Sequence, residues 1–124
     1  MSLGEFELIG KYFTGHDKSD AVTLGIGDDC ALLRVPQGSE LAITTDTQIE
    51  GIHFFKNTDP FLLGYKSLLV NLSDLASMGA KPIAFTLSLS LPESDENFLK
   101  GFSQGVFSLA DKHSLPLIGG NTTK

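Results

Sequence analysis

Ile83, Phe85, Leu87, Leu89 and Leu91 alternate with Ala84, Thr86, Ser88 and Ser90. A period of two puts the large apolar side chains on one face of a strand and the small ones on the other. Such a strand needs a sheet partner at its edges and an apolar layer against one face, so it constrains the fold more than any other stretch. Pro92 ends it. Upstream, Asp59-Pro60 pairs an N-cap carboxylate with a proline at the first helical position. The helix it opens is expected to run to Met78, where Gly79 supplies a left-handed cap and Pro82 prevents resumption. Downstream, Ser94 is expected to cap a second helix through about Lys112, with Phe98, Phe102, Val106, Leu109 and Ala110 on one face. Leu115 to Ile118 reads as a closing strand that delivers Gly119-Gly120-Asn121-Thr122-Thr123.

Nearer the N-terminus, Phe6, Ile9 and Phe13 mark a short helix ended by Gly15. Cys30 to Val35 and Glu40 to Thr45 flank Pro36-Gln37-Gly38-Ser39, whose turn chemistry predicts a hairpin. Cys30 reads as a small core residue, and His16 and His113 as surface histidines. The order of elements predicts an α+β fold, with a mixed, mostly antiparallel sheet and helices packed on one face. At 124 residues and 13.3 kDa, one domain with one core is expected over 1–124.

Charge narrows the function. A net charge of −6 leaves no basic patch for nucleic acid or an anionic membrane, so neither is an expected partner. Acidic loops can instead hold cations, and a cation can hold a polyanion that the bare protein would repel. Glu5 and Glu7 stand where a signal peptide would carry basic residues, and no apolar run approaches the ~18 residues of a membrane span. With a single cysteine, the expected location is the cytoplasm.

Four polar segments carry the candidate chemistry. Gly25-Ile26-Gly27-Asp28-Asp29 follows Val22-Thr23-Leu24. Thr44-Thr45-Asp46-Thr47 follows Leu41-Ala42-Ile43 and runs on through Glu50-Gly51-Ile52-His53-Phe54. Asn71-Leu72-Ser73-Asp74 lies in the first long helix, and Gly119-Gly120-Asn121 lies at the end. On that helix Ser67, Asn71 and Asp74 form a narrow polar stripe at i, i+4 and i+7. An otherwise apolar helix is suited to burial, and a buried carboxylate without a partner costs several kcal/mol, so Asp74 is expected to face a cation, donors or water. Asp28, Asp29, Thr44, Thr45, Asp46, Asp74 and Asn121 offer only oxygen ligands, which suits Mg²⁺ and not zinc. Glycine-rich turns beside acidic loops suit a nucleotide whose phosphates are held through Mg²⁺ and backbone N–H groups. Each piece alone also has a bland reading: a turn for Gly-x-Gly-Asp-Asp, a cap for Asp46, a surface side chain for His53.

Together, Gly25-Ile26-Gly27-Asp28-Asp29-Cys30-Ala31-Leu32-Leu33, Thr44-Thr45-Asp46-Thr47 with Glu50-Gly51-Ile52-His53-Phe54, Val70-Asn71-Leu72-Ser73-Asp74-Leu75-Ala76-Ser77-Met78-Gly79-Ala80 and Leu117-Ile118-Gly119-Gly120-Asn121-Thr122-Thr123 closely resemble the N-terminal domain of the thiamine-monophosphate kinase family. That family sits in the superfamily of aminoimidazole ribonucleotide synthetase, whose N-terminal-domain fold is thereby implied. The resemblance implies ATP-dependent phosphorylation of thiamine monophosphate to thiamine diphosphate, by direct in-line transfer with several Mg²⁺ ions and no covalent protein nucleophile. It implies Asp29, Thr44, Thr45, Asp46, Asp74 and Asn121 as metal ligands, Gly120 and Asn121 at the nucleotide, and His53 on the thiamine-phosphate side. A homodimer formed through the N-terminal sheets is also implied.

Two departures accompany the resemblance. Asn121 stands where the family usually has aspartate; the lost charge weakens attraction for a cation by on the order of a few kcal/mol near a surface. The chain also stops at Lys124, where the family continues into a second domain, so the expectation is the Mg²⁺ and ATP-phosphate half of an enzyme, inactive alone. Two other readings stay open: another ATP-dependent enzyme of the superfamily, and a non-catalytic dimerisation fragment.

Overall fold

Asp59 starts the first long helix as its sequence indicates. In this computed structural model, which describes residues 9–15, 21–24, 30–46, 58–90 and 96–123, the Asp59 carboxylate accepts a hydrogen bond from the Phe61 amide at 3.0 Å. Proline at the first position has no N–H to satisfy and sets φ for the helix. Helix α1 spans Pro60–Ser77. Gly79, at φ 68°, ends it in the left-handed region, and the Ala80 amide donates back to the Leu75 carbonyl at 3.0 Å. The apolar residues that cover more than one face of α1 are not all covered by protein. Leu63, Gly64 and Leu68 are buried, whereas Leu62 and Leu69 are 60% and 44% exposed.

Helix α2 spans Glu96–Lys112, and Phe102, Val106, Leu109 and Ala110 are buried along the expected face, with Phe98 half-buried beside them. The expected cap Ser94 lies outside the described residues. The two helices meet through Gly64 and Gly105. A Cβ on Gly64 would overlap the Phe102 carbonyl oxygen, and one on Gly105 would overlap that of Phe61. Backbone therefore packs against backbone, closer than any side chain allows.

Strand β1 is Val22–Leu24, β2 is Leu32–Leu33, β3 is Phe85–Ser90 and β4 is Leu117–Thr123. In β3, Phe85, Leu87 and Leu89 pack against the helical core while Thr86, Ser88 and Ser90 are exposed. That is the one-sided arrangement expected from the alternation. Leu99, Val106, Leu115 and Leu117 lie at the centre of the core.

The sheet corrects the sequence reading in two respects. β3 pairs with β4 in parallel, through a register that includes Leu87 with Gly120 and Ser88 with Asn121. The described residues therefore hold an α+β domain that is not mostly antiparallel. The reason is topological: α2 fills the connection between β3 and β4, and a helical crossover returns the chain in the same direction. The antiparallel pair is β1 with β2, not the hairpin expected from 30–45. The turn at 36–39 does form, with the Ser39 amide donating to the Pro36 carbonyl at 3.1 Å and Gly38 at φ 83°. Glu40 to Thr45, however, is not a strand, and Ile43 is 82% exposed. Among the described residues no strand lies beside it, and β2 already pairs with β1.

At the N-terminus, Ile9–Phe13 forms a π-helical turn. Phe13 is buried against Phe107, ring centroids 6.3 Å apart, so the packing role of the stripe holds at that residue. Cys30 is exposed rather than a core residue, since it lies at a bend just before the two-residue β2. His113 is exposed as expected. Among the described residues, no helix is long and apolar enough to cross a membrane.

Candidate functional site

Thr44 and Asp74 lie thirty residues apart in the chain and meet in space. The Thr44 hydroxyl oxygen is 3.5 Å from an Asp74 carboxylate oxygen, at the outer limit for a hydrogen bond. Thr44 is carried by the irregular segment after Ile43, and Asp74 by the last turn of α1. Ser77 fixes that last turn further, its hydroxyl donating to the Asp74 carbonyl at 2.7 Å.

Asp74 is exposed, which corrects the expectation of burial. The helix turns its apolar stripe inward at Leu63 and Leu68 and has left the core by its last turn, so the carboxylate stands at the surface. Its claim to a functional role then rests on Thr44, and not on a desolvation cost. Thr45 and Asp46 continue from Thr44 and are both exposed. Asp28, Asp29 and His53 lie outside the described residues.

Further along the stripe, the Ser67 hydroxyl donates to the Leu63 carbonyl at 2.7 Å, and the Asn71 amide nitrogen donates to the Ser67 carbonyl at 3.1 Å. Two members of the stripe are thus tied to the helix backbone, leaving Asp74 as its outward-facing end.

Gly120 and Asn121 lie in β4, opposite Leu87 and Ser88. Gly120 has φ 149°, and a Cβ there would overlap the Leu87 carbonyl oxygen. Only glycine meets both demands, so the identity of this residue is fixed by the strand itself. The bulge between Phe85 and Thr86, where β4 carries Ile118 as an extra residue, sets the register that places Asn121 beside Ser88.

The donor set is oxygen throughout, from a hydroxyl and a carboxylate, and both groups reach the surface. That chemistry fits a hard divalent cation such as Mg²⁺, which keeps several waters and takes few protein ligands. Among the described residues no group of three His, Cys, Asp or Glu side chains could hold a metal. A cation at Thr44 and Asp74 would thus have its remaining positions open to water or phosphate. A cavity of about 250 Å³ lies elsewhere, lined by Lys11, Tyr12, Lys100, Ser103, Gln104 and Phe107, and contains none of the residues picked out from the sequence.

Residues 27–124 match the family model described as AIR synthase related protein, N-terminal domain. The chain belongs to this family. It is 52% identical over 125 residues to thiamine-monophosphate kinase of Escherichia coli strain K12, covering all of this chain and 38% of that protein. The thiamine-monophosphate kinase of Buchnera aphidicola from Schizaphis graminum is 53% identical over 123 residues, covering 98% of this chain and 38% of the relative. The crystal structure of thiamine-monophosphate kinase from Stenotrophomonas maltophilia K279a matches all of this chain with a TM-score of 0.83 at 48% identity, over 40% of its own length. The chain thus spans about two-fifths of the length of the relatives it matches. Thr44, Asp74, Gly120 and Asn121 all fall within the residues that this family model matches.

Proposed function

We propose that this chain supplies the Mg²⁺ and ATP-phosphate-binding half of an enzyme that phosphorylates thiamine monophosphate to thiamine diphosphate. The observation that carries the reading is the approach of Thr44 to Asp74, two oxygen donors from separate segments, in a chain about half identical to proteins named thiamine-monophosphate kinase. Asp29, Thr44, Thr45, Asp46, Asp74 and Asn121 would hold the cations, with Gly120 and Asn121 at the nucleotide and His53 at the thiamine phosphate. Bound Mg²⁺ would neutralise charge on the transferring phosphoryl group and align donor with acceptor.

The chain's own part is positional. Asp74 projects its carboxylate from a helix end that Gly79 and Ser77 hold in place. Thr44 adds a neutral oxygen beside it, which limits the repulsion that a second carboxylate would add. Gly120 lets β4 lie tight against the Leu87 carbonyl, which holds the following Asn121 in register with Ser88. No nucleophile from the protein is needed, because the acceptor phosphate attacks directly. Asn121, neutral where an aspartate would bring a charge, lowers the cation affinity of its position without removing an oxygen ligand.

The working molecule is a cytoplasmic homodimer joined through its N-terminal sheets. Support comes from Leu41 and Ile43, 48% and 82% exposed on a segment with no strand beside it among the described residues. An apolar extended segment of that kind is covered well by a sheet edge from a second copy.

The test is a coupled assay of the complete protein with Mg²⁺, ATP and thiamine monophosphate. Formation of thiamine diphosphate is expected. Turnover of another superfamily substrate with none of thiamine monophosphate would overturn the assignment.

A further inference from the structure

Asn71 lies three residues before Asp74 on α1. Its amide nitrogen donates to the Ser67 carbonyl at 3.1 Å, which fixes the orientation of the amide because a carbonyl only accepts. The other end of the amide, Oδ1, is buried and has no hydrogen-bond partner among the described residues. A buried acceptor left unpaired is a net cost to folding, whereas leucine, of similar size and unable to demand a bond, would avoid it. Asn71 is half-buried and stands three residues after the buried Leu68, on the same side of α1, where an apolar side chain would meet no demand for a carbonyl.

We propose that Asn71 is a positioning residue of the phosphate site, its Oδ1 accepting a hydrogen bond from a water ligand of the cation held at Asp74 and Thr44. The inference rests on the Mg²⁺–nucleotide reading above. The Cβ atoms at i and i+3 of a helix stand about 5–6 Å apart, which puts the two polar side chains within reach of one shared water molecule. Oδ1 is shielded from bulk water in the ligand-free chain, and the soft terminal torsion of asparagine turns the amide as the water ligand arrives. The acceptor is unsatisfied in the ligand-free chain and satisfied when the cation arrives, so its pairing adds to binding and not to folding. Outer-shell groups of this kind orient the inner ligands, and losing one typically weakens metal affinity about 10- to 100-fold.

The experiment compares the wild-type full chain with Asn71→Leu by two readouts. One is thermal unfolding without ligand; the other is calorimetric titration with Mg²⁺ and a non-hydrolysable ATP analogue. Asn71→Leu is expected to unfold at the same temperature or higher and to bind at least about tenfold more weakly. Unchanged binding overturns the inference. So does a ligand-free unfolding temperature lowered by several degrees or a failure to fold, since either outcome makes the amide structural. Wild-type chain that binds no Mg²⁺–nucleotide would remove the reading underneath, a result distinct from both.

Discussion

Gly105 of α2 lies against the backbone carbonyl of Phe61 in α1, with no room between them for a Cβ. Gly64 makes the reciprocal contact with Phe102, and Gly101 sits 3.0 Å, measured from an ideal Cβ, from the Pro60 side chain. Three glycines thus set the distance between the two helices, and that distance sets where the far end of α1, with Asp74, stands relative to the sheet. Gly105→Ala is expected to push the helices apart at a cost of about 1–3 kcal/mol, the usual range for overpacking a well-packed core. A lowered urea midpoint at unchanged slope would confirm it; an unchanged or raised midpoint would show that the interface has slack.

Gly120 combines φ 149° with a Cβ position already occupied by the Leu87 carbonyl. Gly120→Ala must move β4 away from β3 where Asn121 pairs with Ser88. Amide exchange in β4 should accelerate beyond position 119 while the helical core stays protected. Equal acceleration in α1 and α2 would mean that the strand pair and the helices unfold as one unit.

The Asp59 cap should matter about as much as an ordinary N-cap, because its carboxylate is exposed and serves the single amide of Phe61 at 3.0 Å. Asp59→Ala is expected to lower stability by about 1 kcal/mol, with Asp59→Ser recovering most of it. Chemical denaturation of the three proteins decides the point.

Lys11 and Tyr12 both donate to one Glu96 oxygen, at 2.6 and 2.9 Å, and tie the N-terminal turn to the start of α2. The Lys11 hydrogen bond is the main cause holding the Glu96 carboxyl below its ordinary value of 4.5. A carboxyl depressed in the folded chain stabilises it above the unfolded value, and that contribution is lost as pH falls from about 4.5 through the folded value. The same bond raises Lys11 above 10.5, so its contribution holds below that pH and fades as pH rises through the folded value. All three groups are at the surface, so the effect is small. Glu96→Gln should flatten both limbs of a plot of unfolding temperature against pH; limbs unchanged in shape would contradict the assignment.

Much of this architecture was legible because local chemistry and tertiary packing agree. Asp59-Pro60, the Gly79 cap, the alternation from Phe85 to Ser90 and the α2 face from Phe102 to Ala110 each form where the residues indicate. The errors share a physical origin, in that they depend on which segments become neighbours. Glu40 to Thr45 is apolar enough for a strand, yet strand formation needs a pairing edge, and none lies beside it among the described residues. The parallel pairing of β3 with β4 is a property of the crossover through α2. Gly64 and Gly105 carried no signal of their own, because a glycine within a helix reads only as a weak helix former until its partner backbone is known. For the site, the oxygen-rich segments were visible as motifs, but the exposure of Asp74 and its approach by Thr44 are matters of three-dimensional packing.

The central claim is that Thr44 and Asp74 together hold a divalent cation shared with a nucleotide phosphate. Calorimetric titration of the complete protein with Mg²⁺ and a non-hydrolysable ATP analogue tests it most directly, with Asp74→Ala and Thr44→Val alongside. The account predicts Mg²⁺-dependent heat for the wild type, a loss of at least about tenfold in affinity, or about 1.4 kcal/mol, for Asp74→Ala, and a smaller loss for Thr44→Val. Equal affinity in wild type and Asp74→Ala would contradict it.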